Sequence, residues 1–171
     1  MINSNKKINS FLYNYSPIII LFISILNEID FNNMEFKYFS FNFAYVLIFY
    51  YSLKRDRGVG YFLIFCAGLF NDVINGLPMG ISSLCYLLLC AAAAYLRNIT
   101  LRPNLIKDWI FFLVTILFLN FITFTYLVLF FNYEINYFDQ IINIIFTFLA
   151  YLIFSFLFKA YDNFILGKFN Q

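Results

Sequence analysis

Asp72 is the one acidic residue that falls well inside an apolar run, and its neighbours limit what it can do. It stands in the segment Gly68-Leu69-Phe70-Asn71-Asp72-Val73-Ile74-Asn75-Gly76-Leu77-Pro78-Met79-Gly80. Residues four apart share a helix face, so Gly68, Asp72 and Gly76 make a stripe, with Asn75 beside it, that another backbone can approach closely. A carboxylate at the centre of a bilayer costs about 2.5–3.5 kcal/mol, less toward the interface, so it must face protein or water and find a partner. Counted from Val59, Asp72 lies about 20 Å along its helix, near the outer end of a hydrocarbon core about 30 Å thick. The nearest donors are the free amides opening the next helix, because Gly76-Leu77-Pro78-Met79-Gly80 reads as a turn with Pro placed to start a helix. A carboxylate there is stabilised by the positive end of the helix dipole and holds two helices as a hairpin. The other reading is a donor on a partner subunit or a ligand, and the two are compatible.

Little else in the chain is equipped for chemistry. Histidine is absent, which removes the commonest proton shuttle and metal ligand. Cys66, Cys85 and Cys90 lie in apolar runs without C-x-x-C spacing and read as small buried hydrophobes, so neither a metal nor a cofactor is expected. An intramembrane protease needs an activated Ser, an H-E-x-x-H zinc site or two facing Asp residues, none of which this sequence offers, so no enzyme activity is expected. Glu134 and Asp139 read as a solvated outer loop. Asn120 and Asn143 are expected to make interhelical hydrogen bonds worth about 0.6 kcal/mol each.

The elements that hold these residues follow from composition. Of 171 residues 63% are hydrophobic, 24% aromatic and only 12% charged, against roughly 45–50% apolar and a quarter charged in a soluble domain. A net charge of +2 without a basic block gives no footprint for nucleic acid. The chain reads as all-α and polytopic, one integral membrane domain of six spans: Phe11 to Ile29, Phe36 to Leu53, Val59 to Asn75, Gly80 to Leu96, Trp109 to Phe131 and Gln140 to Phe158. Continuous apolar runs such as Ile18 to Phe22 contradict a transmembrane barrel. Lys6, Lys7, Lys54, Arg55, Arg57, Arg97, Arg102, Lys107, Lys159 and Lys168 fall on one side, and only Lys37 on the other. Positive loops stay cytoplasmic, so both termini are placed there. Six spans take up roughly 115 residues and leave no room for a soluble domain. The Phe- and Tyr-rich spans are expected to form the lipid-facing bulk. The fourth span carries Gly80, Ser82, Ser83, Cys85, Cys90 and Ala91 to Ala94, small residues that let helices approach; an interface inside the bundle is preferred over one between subunits.

The pattern Gly68-x-x-x-Asp72-x-x-x-Gly76-x-Pro78-x-Gly80 at the junction of two central spans resembles the rod shape-determining protein MreD family, over roughly residues 60 to 102. The resemblance implies a small, non-catalytic scaffold of the bacterial inner membrane, working in cell elongation and lateral peptidoglycan synthesis. It implies association with an MreC-like coiled-coil protein, and through it with an MreB-like filament and the pair of SEDS glycosyltransferase and class-B transpeptidase. It also implies a six-helix arrangement similar to the membrane substrate-binding subunits of energy-coupling-factor vitamin transporters. A subunit of that transporter kind is the alternative function, with Asn71, Asp72, Asn75 and Asn120 as its polar groups. Against it, the first span lacks the Ala-x-x-x-Ala stripe of those subunits.

Overall fold

The computed structural model describes residues 15–26, 41–54, 60–100, 104–132 and 137–167. The described residues form six α-helices and no strand: α1 Tyr15–Leu26, α2 Phe43–Lys54, α3 Tyr61–Asn75, α4 Ile81–Ile99, α5 Leu105–Phe131 and α6 Tyr137–Gly167. The outer ends of the first span, Phe36 to Ser40 of the second and Val59 of the third lie outside the described residues, as do the basic Lys6, Lys7, Lys37, Arg55, Arg57, Arg102 and Lys168.

Helix length divides the bundle. α4, α5 and α6 are long and apolar enough to cross a membrane. α2 and α3, of 12 and 15 residues, rise only about 18 and 22 Å. α2 starts at Phe43 because Asn42 caps it: the Asn42 side-chain oxygen accepts from Tyr45 N at 3.1 Å, the usual work of Asn at a helix start. Asn42 N donates to Thr147 Oγ1 of α6 at 2.9 Å, and Thr147 Oγ1 donates to Asn143 Oδ1 at 3.4 Å. Asn42, which falls inside the second span as bounded from the sequence, is therefore a helix cap fastened to α6.

α2 also overturns the expectation that aromatic-rich spans face lipid. Every residue from Ala44 to Leu53 is buried, and a helix apolar on all sides belongs in a core. Phe49 packs on Phe112 of α5 and Tyr151 of α6, with ring centroids 5.0 and 5.8 Å away. The outward faces of α5 and α6 keep the expected character: Phe118, Phe121, Phe130 and Phe156 are exposed. α4 packs on α3, α2 and α5; of its small residues Ser82, Ser83, Cys85, Cys90 and Ala93 are buried, Ala92 and Ala94 are half-buried, and Ala91 is exposed. Most of the small residues are thus taken up inside the bundle, and Ala91 is left outside it. Phe22 of α1 meets Phe70 of α3 edge-on at 5.8 Å, and Trp109 of α5 stacks on Phe148 of α6 at 4.3 Å while its Nε1–H donates to the Phe148 carbonyl at 2.9 Å.

Hydroxyls and amides bond back onto their own helices. Thr115, Asn120 and Thr125 donate to the carbonyls of Phe111, Ile116 and Phe121, each at 2.8 Å. Such back-bonding satisfies a polar group where water is missing. The bond of Asn120 is within α5, which corrects its expected interhelical role: four residues separate it from Ile116, so the carbonyl of the preceding turn is within its reach without any partner helix.

Candidate functional site

The α3–α4 hairpin brings the five motif residues together, each with a different task. Gly76 ends α3 in the left-handed region with φ of 63°, a conformation that costs a side chain about 1–2 kcal/mol. Its amide donates to the Asp72 carbonyl, and Leu77 N donates to the same oxygen at 2.9 Å. The second of these is the long bond of a Schellman-type ending. Gly80 precedes α4 with φ of 103° and supplies no side-chain cap.

Asp72 provides that cap from the neighbouring helix. Its Oδ2 accepts from Gly80 N at 2.7 Å and its Oδ1 from Ser82 N at 2.9 Å. The side chain is fully buried. One residue therefore closes the end of α3 with its main-chain oxygen and opens α4 with its carboxylate, which sits at the positive end of the α4 dipole.

Gly68 is where the helices touch. A Cβ built there falls 2.4 Å from Ser83 Cα and 2.5 Å from Ser83 N, so only glycine fits. Ser83 Oγ donates to the Phe65 carbonyl at 3.0 Å and Asn71 Nδ2 to Ser82 Oγ at 3.0 Å, two further ties across the hairpin. Asn75 Nδ2 turns back to the Asn71 carbonyl at 3.1 Å.

Three of the sequence readings change. A Cβ at Gly76 or Gly80 meets nothing within 4 Å, so these glycines serve backbone conformation rather than close approach, and the packing stripe reduces to Gly68 and Asp72. Pro78 does not start the helix. It lies within the turn, and its carbonyl accepts from Ile81 N at 3.5 Å, while the capping position belongs to Gly80. Asp72 also sits closer to the start of its helix than counted, 11 residues beyond Tyr61 or about 16 Å.

Some polar residues escaped the sequence reading. Asp108, just before the fifth span as bounded from the sequence, lies in the first turn of α5 and is 4% exposed. Arg97 near the end of α4 donates through Nη1 to the Ser52 carbonyl at 3.1 Å, capping the end of α2 as basic side chains do. Cys85 Sγ lies 3.1 Å from Thr123 Oγ1, and Ser52 Oγ donates to Cys90 Sγ at 3.4 Å; Cys66 is half-buried. The signal for Arg97 was its place in a last helical turn, whereas nothing local to Asp108 announces its burial.

The carboxylate's chemistry is that of a satisfied joint. Both carboxylate oxygens are engaged by the chain's own amides, so a ligand must displace one of them to bind. Among the described residues no group of three or more His, Cys, Asp or Glu is placed to hold a metal ion. Searches of family models, curated proteins and solved structures return no match to this chain.

Proposed function

We propose that this chain is a non-catalytic, multi-pass scaffold of a bacterial inner membrane, of the MreD kind, associating with an MreC-like coiled-coil protein in the cell-elongation machinery. Through that partner it would reach an MreB-like filament and the pair of SEDS glycosyltransferase and class-B transpeptidase. The proposal includes six spans with both termini cytoplasmic, in line with ten of eleven basic residues on one side of the sequence.

One observation carries the reading. The motif on which the resemblance rests, Gly68, Asp72, Gly76, Pro78 and Gly80, is spent on building a tight hairpin between α3 and α4. A scaffold needs such a joint because its output is a shaped surface, and a fixed crossing of two helices sets that shape. Affinity isolation in mild detergent, with identification of co-purifying proteins, tests it. Recovery of an MreC-like protein with one spanning segment and a coiled coil is expected, and recovery of an ATPase pair instead would overturn it.

The transporter-subunit reading keeps one observation in its favour. Asn71 Oδ1 is buried and has no hydrogen-bond partner among the described residues, as an acceptor awaiting a solute would be. Against it, the other amides of that reading are used internally: Asn75 on Asn71 and Asn120 on Ile116. Retention of a labelled vitamin by the purified protein would favour the transporter.

A further inference from the structure

Resting on the membrane placement in the reading above, and not on its partner, we propose that Asp108 and Lys54 form a site for an aminophospholipid headgroup at the cytoplasmic end of the bundle. The ammonium of phosphatidylethanolamine meets the carboxylate, and its phosphate meets the lysine.

Asp108 is an acid without a donor. It stands in the first turn of α5 and is 4% exposed. Its main-chain amide donates to the Asn104 carbonyl at 3.0 Å, but among the described residues its carboxylate accepts no hydrogen bond and forms no ion pair. Asp72, whose two oxygens hold two amides, is the opposite case. The α5 dipole favours negative charge at this end, yet a carboxylate drawn out of water without a donor remains costly. The polar atoms that are both sealed and without a partner include Asn71 Oδ1 and neither oxygen of Asp108, so the carboxylate is where this residue stays open. An opening of that size suits a small donor.

Positive charge lies at the rim of the opening. The Lys54 ammonium, at the end of α2, and Tyr151 of α6 are within electrostatic range of Asp108. Lys54 is exposed and in no ion pair among the described residues, so it is available to a second charge. Lys107, which precedes Asp108 on α5, is exposed as well. Tyr151 stacks on Phe112 with ring centroids 4.7 Å apart, and Phe112 follows Asp108 by one turn on the same face of α5, so α6 closes the bundle side of the site.

Depth and chemistry select the occupant. Basic residues gather at this end: Lys54 closes α2, Arg97 stands in the last turn of α4 and Lys107 in the first of α5. Such residues mark the cytoplasmic headgroup zone of a membrane protein. A headgroup that brings only phosphate is repelled by the carboxylate. Choline answers the charge but carries methyl groups in place of N–H donors, and leaves the acceptor unsatisfied. Ethanolamine carries an ammonium with N–H donors, as lysine does, joined by a short link to a phosphate within the scope of Lys54. One molecule then matches both charges of the site.

Defined phospholipids of matched acyl chains, added to the full-length chain in mild detergent and counted as adducts by native mass spectrometry, test the site. Phosphatidylethanolamine is expected to be retained severalfold more than phosphatidylcholine or phosphatidylglycerol, with the N-methylated intermediates falling stepwise between it and the choline lipid. Asp108→Asn should bring ethanolamine retention down to the choline level, and Lys54→Gln should lower both, because the phosphate is common to them. Equal retention of the ethanolamine and choline lipids by the native chain overturns the inference alone, as does a preference for phosphatidylglycerol. So does an unchanged or higher ethanolamine retention in Lys54→Gln, because Lys54 then takes no phosphate. A chain that stays in solution without detergent and retains no phospholipid overturns the membrane reading beneath it. If the Asp108→Asn protein is not recovered, the N-methylation series on the native chain decides: a stepwise fall supports the site, and a flat series overturns it.

Discussion

Replacing Asp72 with Asn isolates the carboxylate's role, because it keeps the side chain's size and its main-chain carbonyl, which accepts from Gly76 and Leu77. The amide retains one acceptor for either Gly80 N or Ser82 N, now 2.7 and 2.9 Å away, and turns an NH2 toward the other. One charge-assisted bond is lost and a donor meets a donor, inside a site with no exposure. Charge-assisted bonds contribute about 1.5–3 kcal/mol. Interhelical hydrogen bonds measured in membrane proteins average only about 0.6 kcal/mol, because the unfolded helices find other partners. The larger range applies here, since the amides of Gly80 and Ser82 belong to a helix start and have no intrahelical acceptor. A local opening made easier by about 1.5–3 kcal/mol speeds exchange roughly 10- to 100-fold. Hydrogen exchange resolved to single amides, on the protein in nanodiscs, reads this directly. The amides of Gly80 and Ser82 should exchange faster in the variant, while that of Leu77, held by the main chain, should change little. Equal exchange at 80 and 82 in both proteins would refute the reasoning, because the carboxylate would then not be what holds α4's first turn.

Gly68→Ala places a methyl 2.4 Å from Ser83 Cα and should destabilise the hairpin by about 1–3 kcal/mol in a detergent unfolding assay, in the manner of overpacking; since the clash is with backbone, Ser83→Ala should not rescue it. Gly76→Ala meets no atom but keeps a positive φ of 63°, so a loss of about 1 kcal/mol is expected, and Gly76→Asn should lose less. Trp109→Phe preserves the stack on Phe148 and removes the Nε1–H bond to its carbonyl, for a loss of about 1 kcal/mol in the same assay. Met79→Ala truncates an exposed residue that holds nothing inside the fold; if an MreC-like partner meets the turn, its recovery should fall roughly tenfold, on the order of 1.4 kcal/mol, with hairpin exchange unchanged.

The hairpin was readable from the sequence because its physics is local. Asp72 and its side-chain partners lie within ten residues of one another, and an acid upstream of a Gly- and Pro-containing turn already poses the question of which amides it meets. The finer assignments required dihedral angles: that Gly76 and Gly80 are conformational, that Gly68 alone is steric, and that Pro78 stays in the turn. Burial of α2 was not readable, for a physical reason. In a soluble protein, hydropathy separates inside from outside. In a bilayer, core and lipid are equally apolar, so Phe49 and Tyr51, fully buried, look in sequence like Phe121 and Phe130, which are exposed. Asn42 was hidden in the same way: only its contact with Thr147, 105 positions away, distinguishes a cap from a mid-span amide. Asp108 was missed because nothing in its local sequence separates a buried acid in a first helical turn from a solvated one.

The location of the small residues changes where a partner is to be sought. Ser82, Ser83, Cys85, Cys90 and Ala93 are buried within the bundle, and Gly68 is closed by Ser83, so most of the small residues suited to close helix packing are already taken, with Ala91 exposed. Variants at Asp72 and Gly68 therefore act on a partner only through the shape of the hairpin, and loss of a complex in them is no evidence of contact. On the proposed function, contact falls instead to exposed side chains near the turn, such as Met79 in the turn and Val73 on α3. The exposed surface at the turn end of α3 is apolar, and the single spanning helix of the proposed partner would meet it by van der Waals packing, which a rigid surface favours. That requirement gives the hairpin's overdetermined joint its purpose: Asp72 uses both carboxylate oxygens and its carbonyl to fix two helix ends, so the ordering entropy is spent in folding and not charged again when a partner binds.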